Sequence, residues 1–278
     1  MEDLIRNASM KYTRGDSIVA FEKLLFLQKR HAARYASSLL TSPPTNPLHD
    51  LNHLAVEPIA AILDQRSAKE NFPLWDKLPD QAAKKEYVKN ILLVDAHIYQ
   101  FPANFVDRNI PFFVAPSVID LRSSIPNLKL HNVPVEALQP INTETFLSFL
   151  HPFHFVPESD WNTTTLASVT SSVIVQGQEL TYRMMEKTGW KLDDDPNSFD
   201  VRLGEHPQLK MRGLLEKAWK KLVHGYLRWA VMGGRVGPDG SEGMRILGKE
   251  EVIRRLGRAE EVFLESLKET EGGKEMVR

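Results

Sequence analysis

The stretch PQLKMRGLLEKAWKKLVHGYLRWAVM, residues 207–232, places Met211, Leu215, Ala218, Trp219, Leu222, Tyr226, Trp229 and Ala230 at intervals of three and four. Such intervals return side chains to one face of a helix with 3.6 residues per turn. The stretch therefore predicts a long amphipathic helix and a mainly α fold. On its far side Lys210, Lys217, Lys221, His224 and Arg228 align, with Lys220 beside them and Glu216 as the one acid of that flank. A cationic face of this kind can meet phosphates or an acidic protein surface, in contacts that salt weakens. It can equally be a solvated face whose long side chains lie around the core helix.

Working outward, the same periodicity recurs. Asp16 and Ser17 cap a helix over 17–40 through Ile18, Phe21, Leu25, Ala32, Tyr35 and Leu39. The Ser42-Pro43-Pro44-Thr45-Asn46-Pro47 run breaks it, and a second helix starts at Pro47 and reaches Asp64. Asp80 caps a third, which runs through Tyr87, Val88, Ile91, Leu92, Ile98 and Tyr99 until Pro102. Helices are also predicted over 143–150, 163–187 and 249–270, although the Val, Ile and Thr of 163–178 leave a strand reading open there. The apolar positions of the last helix, Val252, Leu256, Ala259, Phe263 and Leu267, suit its own domain or a partner helix.

Phe101 to Pro157 holds eight of the 17 prolines, so no long helix can pass. Extended segments are predicted there, with a short strand pair near 110–121. The chain reads as an irregular multi-helix domain with a proline-rich, partly extended middle. Its regions are 1–100, 101–160 and 161–278, integrated into one domain. The Gly233–Gly240 segment reads as an exposed linker, and Glu271-Gly272-Gly273 as a frayed end.

Composition narrows the function. Lys and Arg (35) nearly cancel Asp and Glu (36), which excludes a whole-chain field drawing the protein to nucleic acid or membrane. Any such binding needs a local patch. With no Cys, there is no disulfide, iron–sulfur cluster, thiolate zinc site or cysteine nucleophile. Met1-Glu2-Asp3-Leu4-Ile5-Arg6 has no signal-peptide character, and no apolar stretch suits a membrane span. The expected setting is cytoplasm or nucleus, with the mitochondrial matrix left open by the basic, amphipathic Arg6–Arg34 region.

Several constellations could carry chemistry. His49 and His53, four apart, would share one helix face with Glu57, a spacing that can hold a metal, although Asp50 stands where zinc peptidases carry a glutamate. His151 and His154 form another close pair. Asp95 falls within the apolar arc of its helix, so its carboxylate is expected in the core. There it can act as a general acid or base or as a metal ligand, or pair with Arg34, Arg108 or Arg122. His97 follows it on the other side. Asp193–Asp200 is oxygen-rich but lacks the Gly and Glu of a calcium loop, and Gly233–Gly240 lacks the strand that precedes a phosphate loop.

The leading expectation is a non-catalytic helical interaction or assembly protein, such as a subunit of a larger complex. Its partner would be an acidic or phosphate-bearing one, protein or nucleic acid, held by Lys210, Lys217, Lys220, Lys221, His224 and Arg228. The alternative is a helical metal- or cofactor-dependent enzyme, with Asp95 and His97 catalytic and His49, His53, His151 and His154 as ligands. No particular cofactor is implied.

Overall fold

The computed structural model describes residues 21–41, 50–130, 141–187 and 207–275. The fold is mainly α, with no strand among the described residues. The chain divides into two units, one of residues up to Val114 with Val236–Asp239, the other of Ala115–Arg235 with Gly240–Arg278.

In the first unit, α1 (Phe21–Thr41) packs on a tight turn, Ala96–Ile98. A π-helical turn, Asn52–Val56, leads into α2 (Glu57–Ser67), followed by α3 (Pro73–Asp76), α4 (Gln81–Asp95) and α5 (Pro102–Arg108). Asp80 caps α4 as predicted, its carboxylate accepting from the Ala83 amide at 2.8 Å. Ile59, Leu63, Trp75, Ile91, Phe105 and Phe112 fill the core. Asp64 ties three elements around it, accepting from the Trp75 indole (2.9 Å), Gln81 (2.9 Å) and Lys84 (2.7 Å). Burial works against its charge, but the hydrogen bonds from Lys84, Gln81 and Trp75 outweigh it and hold the carboxyl below its ordinary value.

The second unit holds α6 (Val118–Ser123), α7 (Thr143–Ser148), α8 (Pro152–Phe155), α9 (Thr163–Lys187), α10 (Pro207–Met232), α11 (Gly240–Leu247) and α12 (Lys249–Glu275). Residues 163–178 are helical, which removes the strand alternative. Five aromatic rings centre this unit: Phe146, Trp219, Tyr226, Trp229 and Phe263, with Phe146 and Tyr226 centroids 5.1 Å apart. Val252, Leu256, Ala259 and Phe263 are buried within the chain itself, so that arc of α12 is not an assembly contact.

Two expectations need correction. Residues 110–121 form no strand pair: Ile110–Phe112 is a 3-10 turn and Val118–Ser123 a helix. The prolines here start helical turns instead of ending them, because the first turn needs no N–H from them; Pro102, Pro111 and Pro152 all sit so. Ser117 and Asp120 add a capping box, in which the Ser117 hydroxyl accepts the Asp120 amide and Asp120 accepts the Ser117 amide. Nor is Gly233–Gly240 simply an exposed linker. Gly233 and Gly234, at φ +62° and +74°, end α10; Pro238 is buried, and Gly240 opens α11. The last helix also runs to Glu275, past the predicted frayed end.

Candidate functional site

The phase of α10 is set by what its apolar side holds. The Trp219 indole donates to Thr181 Oγ1 of α9 at 3.0 Å, and its ring lies against the bare backbone of Gly177. One turn from the helix end, the Trp229 indole donates to the Leu121 carbonyl at 3.0 Å. From α12 the Arg255 guanidinium, 2% exposed, donates to the Val231 carbonyl, one of the last carbonyls of α10. Glu251 holds Arg255 and Arg254; burial works against the Glu251 charge, yet these two guanidinium contacts keep its carboxyl below its ordinary value.

With that face committed, the opposite one points to water. Lys217, Lys220, Lys221 and His224 are exposed and Arg228 is half-buried. Lys220 pairs with Glu216 at 2.6 Å, and this hydrogen bond, with the Lys220 charge, lowers the Glu216 carboxyl. Glu216 thus occupies one cation of the row. Among the described residues, Lys217, Lys221 and His224 have no ion pair. Arg228 donates to the Arg235 carbonyl at 3.4 Å, which holds its guanidinium beside the exposed Arg235 beyond the glycine turn. That contact is to the Arg235 backbone, across the turn at Gly233 and Gly234; the Arg235 charge acts on Asp120 of α6. The Lys210 side chain lies outside the described residues.

Residues 219–260 match the family model for an anticodon binding domain. The matched segment spans the second half of α10, α11 and the first half of α12, and includes Lys220, Lys221, His224 and Arg228. It carries nine Lys and Arg against five Asp and Glu, a positive surplus in a chain whose net charge is -1. Comparison with curated proteins and with solved structures gives no match. No helix among the described residues is long and apolar enough to cross a membrane.

The other candidates are placed apart from this face. Asp95 is 1% exposed, and its Oδ2 accepts from Arg108 Nε and Asn109 Nδ2, each at 3.0 Å. Its partners are thus the guanidinium and amide of the next helix, while His97 is exposed on the turn that follows. Asp95 Oδ1 and Asn109 Oδ1 are buried with no hydrogen-bond partner. His53 is exposed, with Nδ1 3.5 Å from Glu57 Oε2. Glu57 also accepts from Lys85 at 2.8 Å; that bond and the Lys85 charge, then His53, lower its carboxyl. His49 lies outside the described residues, as does Asp193–Asp200. The rings of His151 and His154 meet edge to face at 6.3 Å, both exposed at the start of α8. Among the described residues, no group of three or more His, Asp or Glu side chains could hold a metal ion.

Proposed function

We propose that this chain is a non-catalytic helical binding protein that grips a phosphate-bearing partner, an RNA, through the basic face of α10. The observation that carries the reading is the row Lys217, Lys221 and His224: exposed, without ion pairs among the described residues, and continued by Arg228. Cations already paired with acids would gain little from a phosphate, whereas unpaired ones release condensed counterions when it binds. RNA is favoured over an acidic protein because the anticodon binding domain match covers Lys221, His224 and Arg228 of this row, and a segment of positive surplus.

The test is capture of unfractionated transfer RNA by the full chain at several salt concentrations. Lys217→Glu with Lys221→Glu should weaken capture at low salt and flatten the dependence of log affinity on log salt by at least about 1.4, two phosphate contacts at roughly 0.7 each. Both side chains are exposed, so the helical circular dichroism signal should stay unchanged. Lys217→Arg with Lys221→Arg should retain binding. Unaltered capture by the Glu variant removes α10 from the interface. Capture of a protein that survives ribonuclease yet is lost in the Glu variant assigns the face to an acidic protein instead.

A further inference from the structure

The first unit carries a second cationic face, on α1. The helix packs on Ala96–Ile98, and its buried residues among the described ones, Ala33, Ala36 and Leu39, all lie in its C-terminal half. Phe26, Lys29, Arg30 and Arg34 are all exposed, and Phe26 keeps 59% of its surface in water. Residues three and four apart are neighbours on a helix surface, so Lys29 and Arg30 both stand one turn beyond Phe26 and Arg34 one turn beyond Arg30. None of these three cations has an ion pair among the described residues. A stacked pair, His31 on Tyr35, lies further along the helix with centroids 6.1 Å apart and planes 9° from parallel.

An aromatic ring left largely in water beside two cations presents a flat apolar face next to positive charge. It matches one ligand chemistry well: a planar base that stacks on the ring while its neighbouring phosphates meet the adjacent charges. A membrane surface is the competing class, and it calls for a broad apolar arc facing the lipid. Among the described side chains of α1 the exposed apolar surface narrows to Phe26, because Ala33, Ala36 and Leu39 are buried within the protein.

We infer that α1 is a second RNA contact, in which an unpaired base stacks on Phe26 and Lys29, Arg30 and Arg34 take the adjacent phosphates. This rests on the reading of the chain as an RNA binder but uses a different unit and different residues from α10. Stacking makes the contact tolerant of base identity and confines it to single-stranded segments.

The experiment measures binding of a labelled 20-nucleotide oligouridine to the full chain by anisotropy across a salt series, and transfer RNA capture in parallel. Phe26→Ala should lower oligouridine affinity by about fivefold or more, the range of one aromatic–base stack; Phe26→Tyr should restore it. Arg30→Gln with Arg34→Gln should flatten the salt slope by about 1.4, two single-strand phosphate contacts. All three substituted positions are exposed, so circular dichroism should not change. The inference is overturned if the wild-type chain does not bind oligouridine, or if Phe26→Ala binds as the wild type does. It is overturned as well if the variants lose only their binding to phosphatidylserine vesicles. The Lys217→Glu, Lys221→Glu variant separates the two readings. If it keeps transfer RNA while Phe26→Ala loses oligouridine, α1 stands and α10 falls; the converse result leaves α10 alone.

Discussion

A glycine in the middle of a helix ordinarily gains stability when replaced by alanine, about 1 kcal/mol, because alanine has less backbone freedom to lose. Gly177 in α9 should do the opposite. A Cβ there would fall far inside contact distance of Cδ2, Cε3 and Cζ3 of Trp219. The indole has no room to withdraw: it is fully buried, its N–H is held by Thr181 at 3.0 Å, and Phe146 and Phe149 lie 6.4 and 6.3 Å away, centroid to centroid. Overfilling a packed core costs about 1–3 kcal/mol, and three rigid ring atoms place this case at the upper end. Set against the gain of about 1 kcal/mol in helix propensity, Gly177→Ala should lose about 1–2 kcal/mol net. Gly225 and Gly257 are the controls, since nothing lies within 4 Å of a Cβ at either; Ala there should stabilise by about 0.5–1 kcal/mol. Urea unfolding followed by tryptophan fluorescence reads all three, with the midpoint down for Gly177→Ala and up for the other two. Adding Trp219→Leu to Gly177→Ala should relieve most of the clash, giving a coupling energy in a double-mutant cycle. A Gly177→Ala protein as stable as the wild type would refute the packing argument, and with it the account of how α10 is oriented.

Two further predictions concern buried charge. Arg108→Ala leaves the Asp95 carboxylate in the core with Asn109 alone; thermal unfolding should show a loss of about 3 kcal/mol, most of it recovered when Asp95→Leu removes the stranded charge as well. Asp64 and Glu251 have carboxyls held below their ordinary values, so their charged forms favour the folded state. That contribution is complete above about pH 5 and is lost as pH falls through the depressed values, so unfolding midpoints should drop between pH 5 and pH 3. Lys84→Met should make the drop shallower by removing the strongest of the contacts that lower Asp64; an unchanged profile would mean that Lys84 does not hold it.

The long helices were legible because periodicity survives wherever one face is buried. Residues 80–95 and 207–232 show it plainly, and Asp80 as the cap of the one and Pro207 as the first residue of the other are start signals the sequence displays. The middle of the chain was not, because proline carries two opposite meanings. It ends a helix that comes before it and starts one that comes after it, and spacing alone does not say which. At 118–121 the capping box of Ser117 with Asp120 starts α6 inside the segment expected as a strand. α11 was hidden for a similar reason: glycines at 233, 234, 237 and 240 suggest a linker, although two of them form only the end of α10 and another opens a helix. For Asp95 the arc predicted a core position, and burial followed; which of the candidate arginines would meet it depended on the turn from α4 into α5, which no spacing reports.

The cationic face of α10 shows where sequence reasoning reaches its limit. A wheel places Lys217, Lys221, His224 and Arg228 in one row, but a row of cations is a binding face only if acids from elsewhere leave it alone. The chain contains 36 Asp and Glu against 35 Lys and Arg, so an even scatter would cancel the row. Among the described residues several acids have partners: Glu216 takes Lys220, Glu242 takes Arg245, Glu251 takes Arg254 and Arg255, Glu261 takes Arg258, and Glu265 with Glu269 takes Arg122. Most of these pairs sit three or four residues apart on their own helix, where proximity costs no chain closure. Exposed charges are screened beyond the Debye length, about 8 Å at physiological salt, so the α10 row can attract a polyanion only at close range. Any affinity it provides should collapse with modest added salt while the fold, held by buried aromatic rings, stays intact.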